Sequence, residues 1–68
     1  MKNTIKVERA KMDMTQEALA EKIGVSRQTI NSIEKGKYVP STLLALKMAN
    51  VFNTSVNDIF DLEQEDWK

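Results

Sequence analysis

Apolar residues recur along this chain at intervals of three and four, and nowhere do they alternate with polar ones over the length of a strand. That period belongs to the α-helix, so the chain is expected to be all helical, in five stretches marked off by their punctuation. The first covers about Thr4 to Met12, with Ile5, Arg9 and Met12 on one face and Asp13 beginning the break. Thr15 opens the second, because its hydroxyl can accept from the free amides of the following turn, and this helix buries Leu19, Ala20 and Ile23. Gly24 then stands at the C-terminal position that needs a left-handed backbone, a conformation glycine adopts without strain. Ser26 caps a third helix that runs to about Lys35 with Ile30 and Ile33 inward, and Gly36 stops it by the same device.

Tyr38-Val39-Pro40 reads as an extended connection, since proline biases the residue before it away from helix. Ser41 caps a fourth helix through about Phe52, with Leu44, Ala45, Met48, Ala49 and Phe52 inward and Asn53 as its stop. Ser55 caps a short fifth helix whose Val56, Ile59 and Phe60 close the core. Residues 62–68 form an acidic tail ending in Trp67, either frayed or paired as a short strand with Met1 to Asn3. At 68 residues this is a single domain, 1–68, near the lower limit for a core without staples.

Composition narrows the function to something done with surface. Cysteine and histidine are both absent, which removes the usual nucleophile and base pairings and leaves only carboxylates as metal ligands. An enzyme is therefore not expected. Asp61, Glu63, Glu65 and Asp66 could gather a divalent ion, but a solvated acidic tail is the commoner meaning of such a run, and no metal or cofactor is expected. No apolar run approaches the roughly 20 residues that span a bilayer, and the N-terminus lacks a signal peptide's apolar core, so a cytoplasmic protein without membrane contact is expected. The net charge is zero, yet residues 1–40 hold eight Lys/Arg against five Asp/Glu while residues 41–68 hold two against five. An anionic partner would meet the first half.

That half contains the tightest joint in the chain. Small Ala20 precedes it, Gly24 makes it, and Val25, Ile30 and Ile33 anchor its far side. Two helices joined so closely cross at about 90 to 120°, provided that a small residue sits where the backbones approach. The N-terminus of the third helix is left projecting, with Arg27, Gln28, Asn31, Ser32 and Lys35 on faces the core does not need. Such side chains can reach the edges of bases: arginine bonds guanine O6 and N7, and glutamine bonds adenine N6 and N7.

The stretch TQEALAEKIGVSRQTINSIEKGKYVPS resembles the helix-turn-helix of the phage repressor family, the Cro and C1 type also called the Xre family. The resemblance rests on Thr15-Gln16, Leu19-Ala20, Ile23-Gly24-Val25-Ser26, Ile30, Ile33-Glu34, Gly36-Lys37 and Pro40-Ser41, and covers nearly the whole chain. It implies a five-helix, all-α DNA-binding domain with the helix-turn-helix at about 16–35. Carried onto this chain, it places Arg27, Gln28 and Ser32 toward the major groove with Asn31 at its edge, and Thr15, Gln16, Lys37 and Tyr38 toward phosphates. The bland alternative for each is a solvated face. It also implies a pair between Arg9 and Glu34. Glu8 departs from the pattern, which commonly has an apolar residue there, and Val7 is expected to take its place by a small rotation of the helix.

The function so implied is a sequence-specific regulator of transcription, most simply a dimeric repressor on a palindromic operator in double-stranded DNA, with no small-molecule ligand evident. A dimer needs a self-complementary patch. The surplus apolar residues Leu43, Leu46, Leu62 and Trp67 are its candidates, with residues 55–68 as part of the contact. A protein interaction module of the same fold, such as the antitoxin of a toxin–antitoxin pair, is the alternative, and binding of the chain alone to DNA discriminates the two.

Overall fold

A computed structural model describes all 68 residues. Five helices, α1 (Ile5–Lys11), α2 (Gln16–Ile23), α3 (Arg27–Glu34), α4 (Thr42–Val51) and α5 (Val56–Ile59), surround one core. A two-stranded antiparallel ribbon of β1 (Lys2–Asn3) and β2 (Phe60–Asp61) ties the two ends of the chain together, with Lys2 opposite Asp61 and Asn3 opposite Phe60. A single 3-10 turn, Gln64–Trp67, follows.

The helix boundaries follow from local chemistry that the sequence displays. Thr15, Ser26 and Ser41 each accept, through the side-chain hydroxyl, the backbone N–H three residues on, at 3.0, 3.1 and 3.2 Å. At the other ends one closure recurs four times. A left-handed residue, Asp13, Gly24, Gly36 or Asn53, is followed by an amide that bonds back five residues, Met14 to Arg9, Val25 to Ala20, Lys37 to Ser32 and Thr54 to Ala49. Each closure satisfies a carbonyl that the end of a helix would otherwise leave bare and turns the chain sharply. A domain of this size therefore spends few residues on connections.

The core consists of Ile5, Leu19, Ala20, Ile23, Ile30, Ile33, Met48, Ala49, Phe52, Ile59 and Phe60. Burial of each larger side chain stabilises by about 1.5 to 3 kcal/mol. Val25, Leu44, Ala45 and Val56 pack against this cluster from its edge. Ala20 is 2% exposed within the α2 and α3 pair, where a larger side chain would hold the backbones apart.

Four expectations need correction. Met12 is half exposed, because α1 stops at Lys11 and the left-handed turn at Asp13 carries Met12 off the inward face. Val7 does not replace an apolar residue at position 8, since it is 52% exposed. Glu8 keeps that place with its side chain only 15% exposed, and Lys11 Nζ reaches its carboxylate at 3.3 Å, so most of the side chain is covered while its charge is paired. The strand that meets residues 2–3 is Phe60–Asp61 and lies before the tail, because α5 ends at Ile59 and Phe60 turns extended with φ −116°. The tail itself is neither frayed nor a strand, but a turn whose Glu63 and Asp66 carboxylates hold the Met1 amine at 2.9 and 3.2 Å.

At the start of α5 the Asp58 carboxylate accepts from the Ser55 hydroxyl at 2.8 Å, the Thr54 hydroxyl at 2.9 Å and the Ser55 amide at 3.4 Å. The Ser55 hydroxyl foremost, then the Thr54 hydroxyl and the Ser55 amide, hold its pKa below the ordinary 3.8. A carboxyl whose pKa is depressed by folding stabilises above its unfolded pKa, and that contribution is lost as pH falls through the folded value. Asp58→Asn should therefore be less stable than the wild type at neutral pH, and the difference should shrink as pH drops below about 4. Urea melts of both proteins across that range measure it.

Candidate nucleic-acid interface

α3 divides into two faces. Ile30 and Ile33 are fully buried, while Arg27 and Gln28 are exposed and Asn31 and Ser32 are half-buried beside them. An open polar groove runs along this outer face, lined by Ser26, Gln28, Thr29, Ser32, Lys37 and Tyr38. Gln28, Ser32, Lys37 and Tyr38 were anticipated from sequence. Ser26 and Thr29 were not, because the cap role of Ser26 conceals its place in the groove and the Thr29 hydroxyl is recognisable only by its 3.0 Å contact with that of Ser26.

Behind the outer face lies a continuous polar network. Arg9 donates from Nε to Glu34 Oε2 at 2.7 Å, from Nη2 to Glu34 Oε1 at 3.1 Å and from Nη1 to the Met14 carbonyl at 2.9 Å. The two side chains are 13% and 9% exposed. Gln16, the first residue of α2, donates from Nε2 to Glu34 Oε1 at 3.1 Å and to Asn31 Oδ1 at 3.4 Å. Its Oε1 accepts from Arg27 Nη1 at 3.4 Å. One carboxylate thus joins α1, α2 and α3, and the structure brings together Arg9, Glu34, Gln16, Asn31 and Arg27.

The N-terminus of α2 stands beside this network with Thr15 exposed, its hydroxyl oxygen engaged in the cap. Lys37 and Tyr38, both exposed, leave α3 at its other end. Helix N-termini present unpaired N–H groups and favour phosphate, and Lys37 supplies a charge. This surface therefore offers hydrogen-bond donors and a cation at the two ends of α3, with exposed polar side chains between.

Comparison with known proteins decides the family. A helix-turn-helix family model matches residues 5–59. This chain belongs to the helix-turn-helix family of Cro/C1-type transcriptional regulators. It is 52% identical over 65 residues to an uncharacterized HTH-type transcriptional regulator, YgzD of Bacillus subtilis, spanning 96% of this chain and 98% of that protein. It is 54% identical over 66 residues to another from Methanocaldococcus jannaschii, spanning 97% of this chain and all of that one. Among solved structures, the restriction-modification controller protein C.AhdI from Aeromonas hydrophila superposes with a TM-score of 0.75 at 25% identity, covering 82% of this chain and 85% of that one. The SOS-response transcriptional repressor LexA from Eubacterium rectale gives 0.77 at 32% identity, covering 88% of this chain and 64% of that one. In this helix-turn-helix protein α2 and α3 are the paired helices and Gly24 is the joint.

The apolar candidates for self-association all stand in solvent: Leu43, Leu46, Leu62 and Trp67 are 62%, 56%, 57% and 77% exposed. Leu43 and Leu46 line a shallow groove with Lys22, Ile23, Lys47, Asn50 and Val51. Leu46 also borders a more apolar groove formed with Val39, Pro40, Ala45, Val56 and Phe60.

The geometry of the Arg9 and Glu34 pair sets a stability expectation. Glu34→Ala leaves the Arg9 guanidinium with only the Met14 carbonyl and frees Gln16, and should cost about 1 to 3 kcal/mol, more than an exposed pair's 1 kcal/mol or less. The denaturant midpoint of the variant reads the loss directly, and a midpoint unchanged from the wild type would make the pair energetically idle.

Proposed function

We propose that the chain is a homodimeric repressor that reads a two-fold related operator in duplex DNA. The observation that carries this reading is the division of α3: Ile30 and Ile33 fasten one face to the core, and Arg27 and Gln28 stand exposed on the other, Gln28 with no intramolecular hydrogen bond. Arg27 and Gln28 enter the major groove, Ser32 and Asn31 follow at its edge, and Thr15, Lys37 and Tyr38 meet the phosphates together with Gln16, the last through its backbone N–H at the start of α2. A single reading helix offers too little contact for high specificity, and a second copy supplies the other half-site. The protein acts in the cytoplasm; no helix is long and apolar enough to cross a membrane.

Two kinds of variant should part company on DNA. Arg27→Ala and Gln28→Ala should each cost about 1 to 3 kcal/mol on a site selected from a random pool and little on a scrambled one, flattening the preference at one or two base pairs. Lys37→Ala should weaken both DNAs about equally and lower the slope of log affinity against log salt by roughly one unit. Titrations of all three variants over a salt series test this with the purified chain alone. Equal losses on both DNAs for Arg27→Ala and Gln28→Ala would remove α3 as the reader.

For self-association the expectation is a dimer at micromolar concentration held by the exposed apolar residues of the C-terminal half. Leu46 borders both apolar grooves, so Leu46→Asp should shift sedimentation to the monomer and leave the melting transition cooperative. A wild-type chain that sediments as a monomer, free and on DNA with one copy per site, would end the symmetric reading.

A further inference from the structure

Gln16 and Asn31 are amides, and an amide can turn either its oxygen or its nitrogen toward a neighbour. Here the choice is made by charged groups at the two ends of the network. Glu34 is held by two hydrogen bonds from Arg9 and, as a carboxylate, can only accept. Gln16 must therefore turn Nε2 toward it, as the 3.1 Å contact shows. Arg27 can only donate, so the remaining atom, Gln16 Oε1, is the one that suits its Nη1 at 3.4 Å. With Nε2 so directed, its second hydrogen meets Asn31 at 3.4 Å, and the atom of Asn31 that receives it must be Oδ1. The two 3.4 Å contacts are long and contribute little energy, but each has only one workable direction. Asn31 Nδ2 is left without a partner in the protein, on the half-buried edge of the reading face.

We infer that the Arg9 and Glu34 pair, acting through Gln16, biases the polarity of Asn31 so that it offers amide hydrogens to DNA and favours base edges that carry acceptors and no donor, guanine or thymine, over adenine, whose N7 accepts but whose N6–H would go unmet, and cytosine. An unconstrained asparagine prefers adenine, because its oxygen takes N6–H while its nitrogen gives to N7. With Oδ1 already engaged, the adenine N6–H and the cytosine N4–H have nothing to bond. Guanine presents two acceptors, O6 and N7, and thymine presents O4. Gln16 and Glu34 are positioning residues in this scheme: they need touch no base. Gln28, held at neither end, has no such restriction and remains free to take adenine.

The inference rests on α3 being the reading helix, and one binding panel separates the two. The full-length chain is titrated against its selected site and against that site with every single-base replacement. Asn31→Ala locates the base pair that Asn31 reads, as the position whose preference it erases. The wild type should favour guanine or thymine over adenine and cytosine there by about threefold, the scale a long hydrogen bond supports. Gln16→Ala leaves the Arg9 and Glu34 pair in place but frees Asn31, so adenine should rise by about the same factor against guanine at that position alone, on top of any uniform loss. Glu34→Gln, a partner that can both donate and accept, should move the preference the same way. Arg27→Ala should erase a preference elsewhere and leave that at the Asn31 position intact, because Glu34 still orients Gln16. A wild-type preference for adenine or cytosine at the Asn31 position overturns the inference. So does an unchanged preference in Gln16→Ala, or an Asn31→Ala variant that alters no base preference. The broader reading of α3 fails by a different result, an equal loss on selected and scrambled DNA in Arg27→Ala and Gln28→Ala.

Discussion

Three helices meet at the carboxylate of Glu34, and the position of the outer face of α3 depends on that meeting. Withdrawing Arg9 and Glu34 from water to 13% and 9% exposure carries a desolvation cost, and a pair that left donors or acceptors unmet would not recover it. Here the carboxylate accepts from Arg9 twice and from Gln16 once, and the third guanidinium bond goes to the Met14 carbonyl. No buried side-chain nitrogen or oxygen in the chain lacks a partner. The Met14 contact matters beyond charge, because the Met14 amide also bonds to the Arg9 carbonyl across the left-handed turn at Asp13. Backbone and side chain of Arg9 thus clamp the same residue, and the entry to α2 is fixed before any DNA arrives.

A second tie acts at the other side of α3. Asn3 Nδ2 donates to the Ile33 carbonyl at 2.9 Å and Asn3 Oδ1 accepts from the Ile5 amide at 3.2 Å, so one side chain joins the last turn of α3 to the first of α1. The β1 and β2 ribbon holds Asn3 there. With about a dozen buried side chains the core alone gives a domain this small a slender margin, and the placement of α3 is fixed further by specific polar closures. Side chains whose own rotamers are locked by such closures present their donors without losing further entropy on binding.

What was legible in the sequence was whatever local chemistry decides. Thr15, Ser26 and Ser41 announce helix starts because a hydroxyl beside free amides has one economical use, and Gly24, Gly36 and Asn53 announce ends because few residues accept a left-handed backbone. Helical spacing then placed Leu19, Ile23, Ile30, Ile33 and Met48 inside, where they lie. Misplaced residues were those whose fate is settled by a particular partner or turn that the helical spacing does not reveal. Phe60 continues a helical spacing yet turns extended, because Lys2 and Asn3 offer it and Asp61 a strand to pair with. Glu8 is polar yet mostly covered, because Lys11 lies one turn on and the aliphatic stem can pack. For the outer face, spacing identified which side chains point away from the core, but the linkage of Gln16 to Glu34, Asn31 and Arg27 is a matter of ångströms and has no sequence signature.

Charge bears on how such a surface would find its target. The chain is neutral overall, and two of the eight cations in residues 1–40 are spent internally, Arg9 on Glu34 and Lys11 on Glu8. On α3 and its exit, Arg27, Lys35 and Lys37 are free of salt bridges, and α2 adds Lys22. Non-specific affinity for duplex DNA grows with the number of phosphates neutralised, each adding close to one unit to the salt slope. Three or four such cations per copy of the chain limit how many phosphates each copy can neutralise. Phosphate attraction carries no sequence information, so discrimination must come from directional bonds, and directional bonds repay side chains whose donors and acceptors are fixed in advance. The hydrogen-bonded network behind α3 supplies such fixing: Glu34 sets the direction of Gln16, and Gln16 that of Asn31, whose Nδ2 stays free at the outer face.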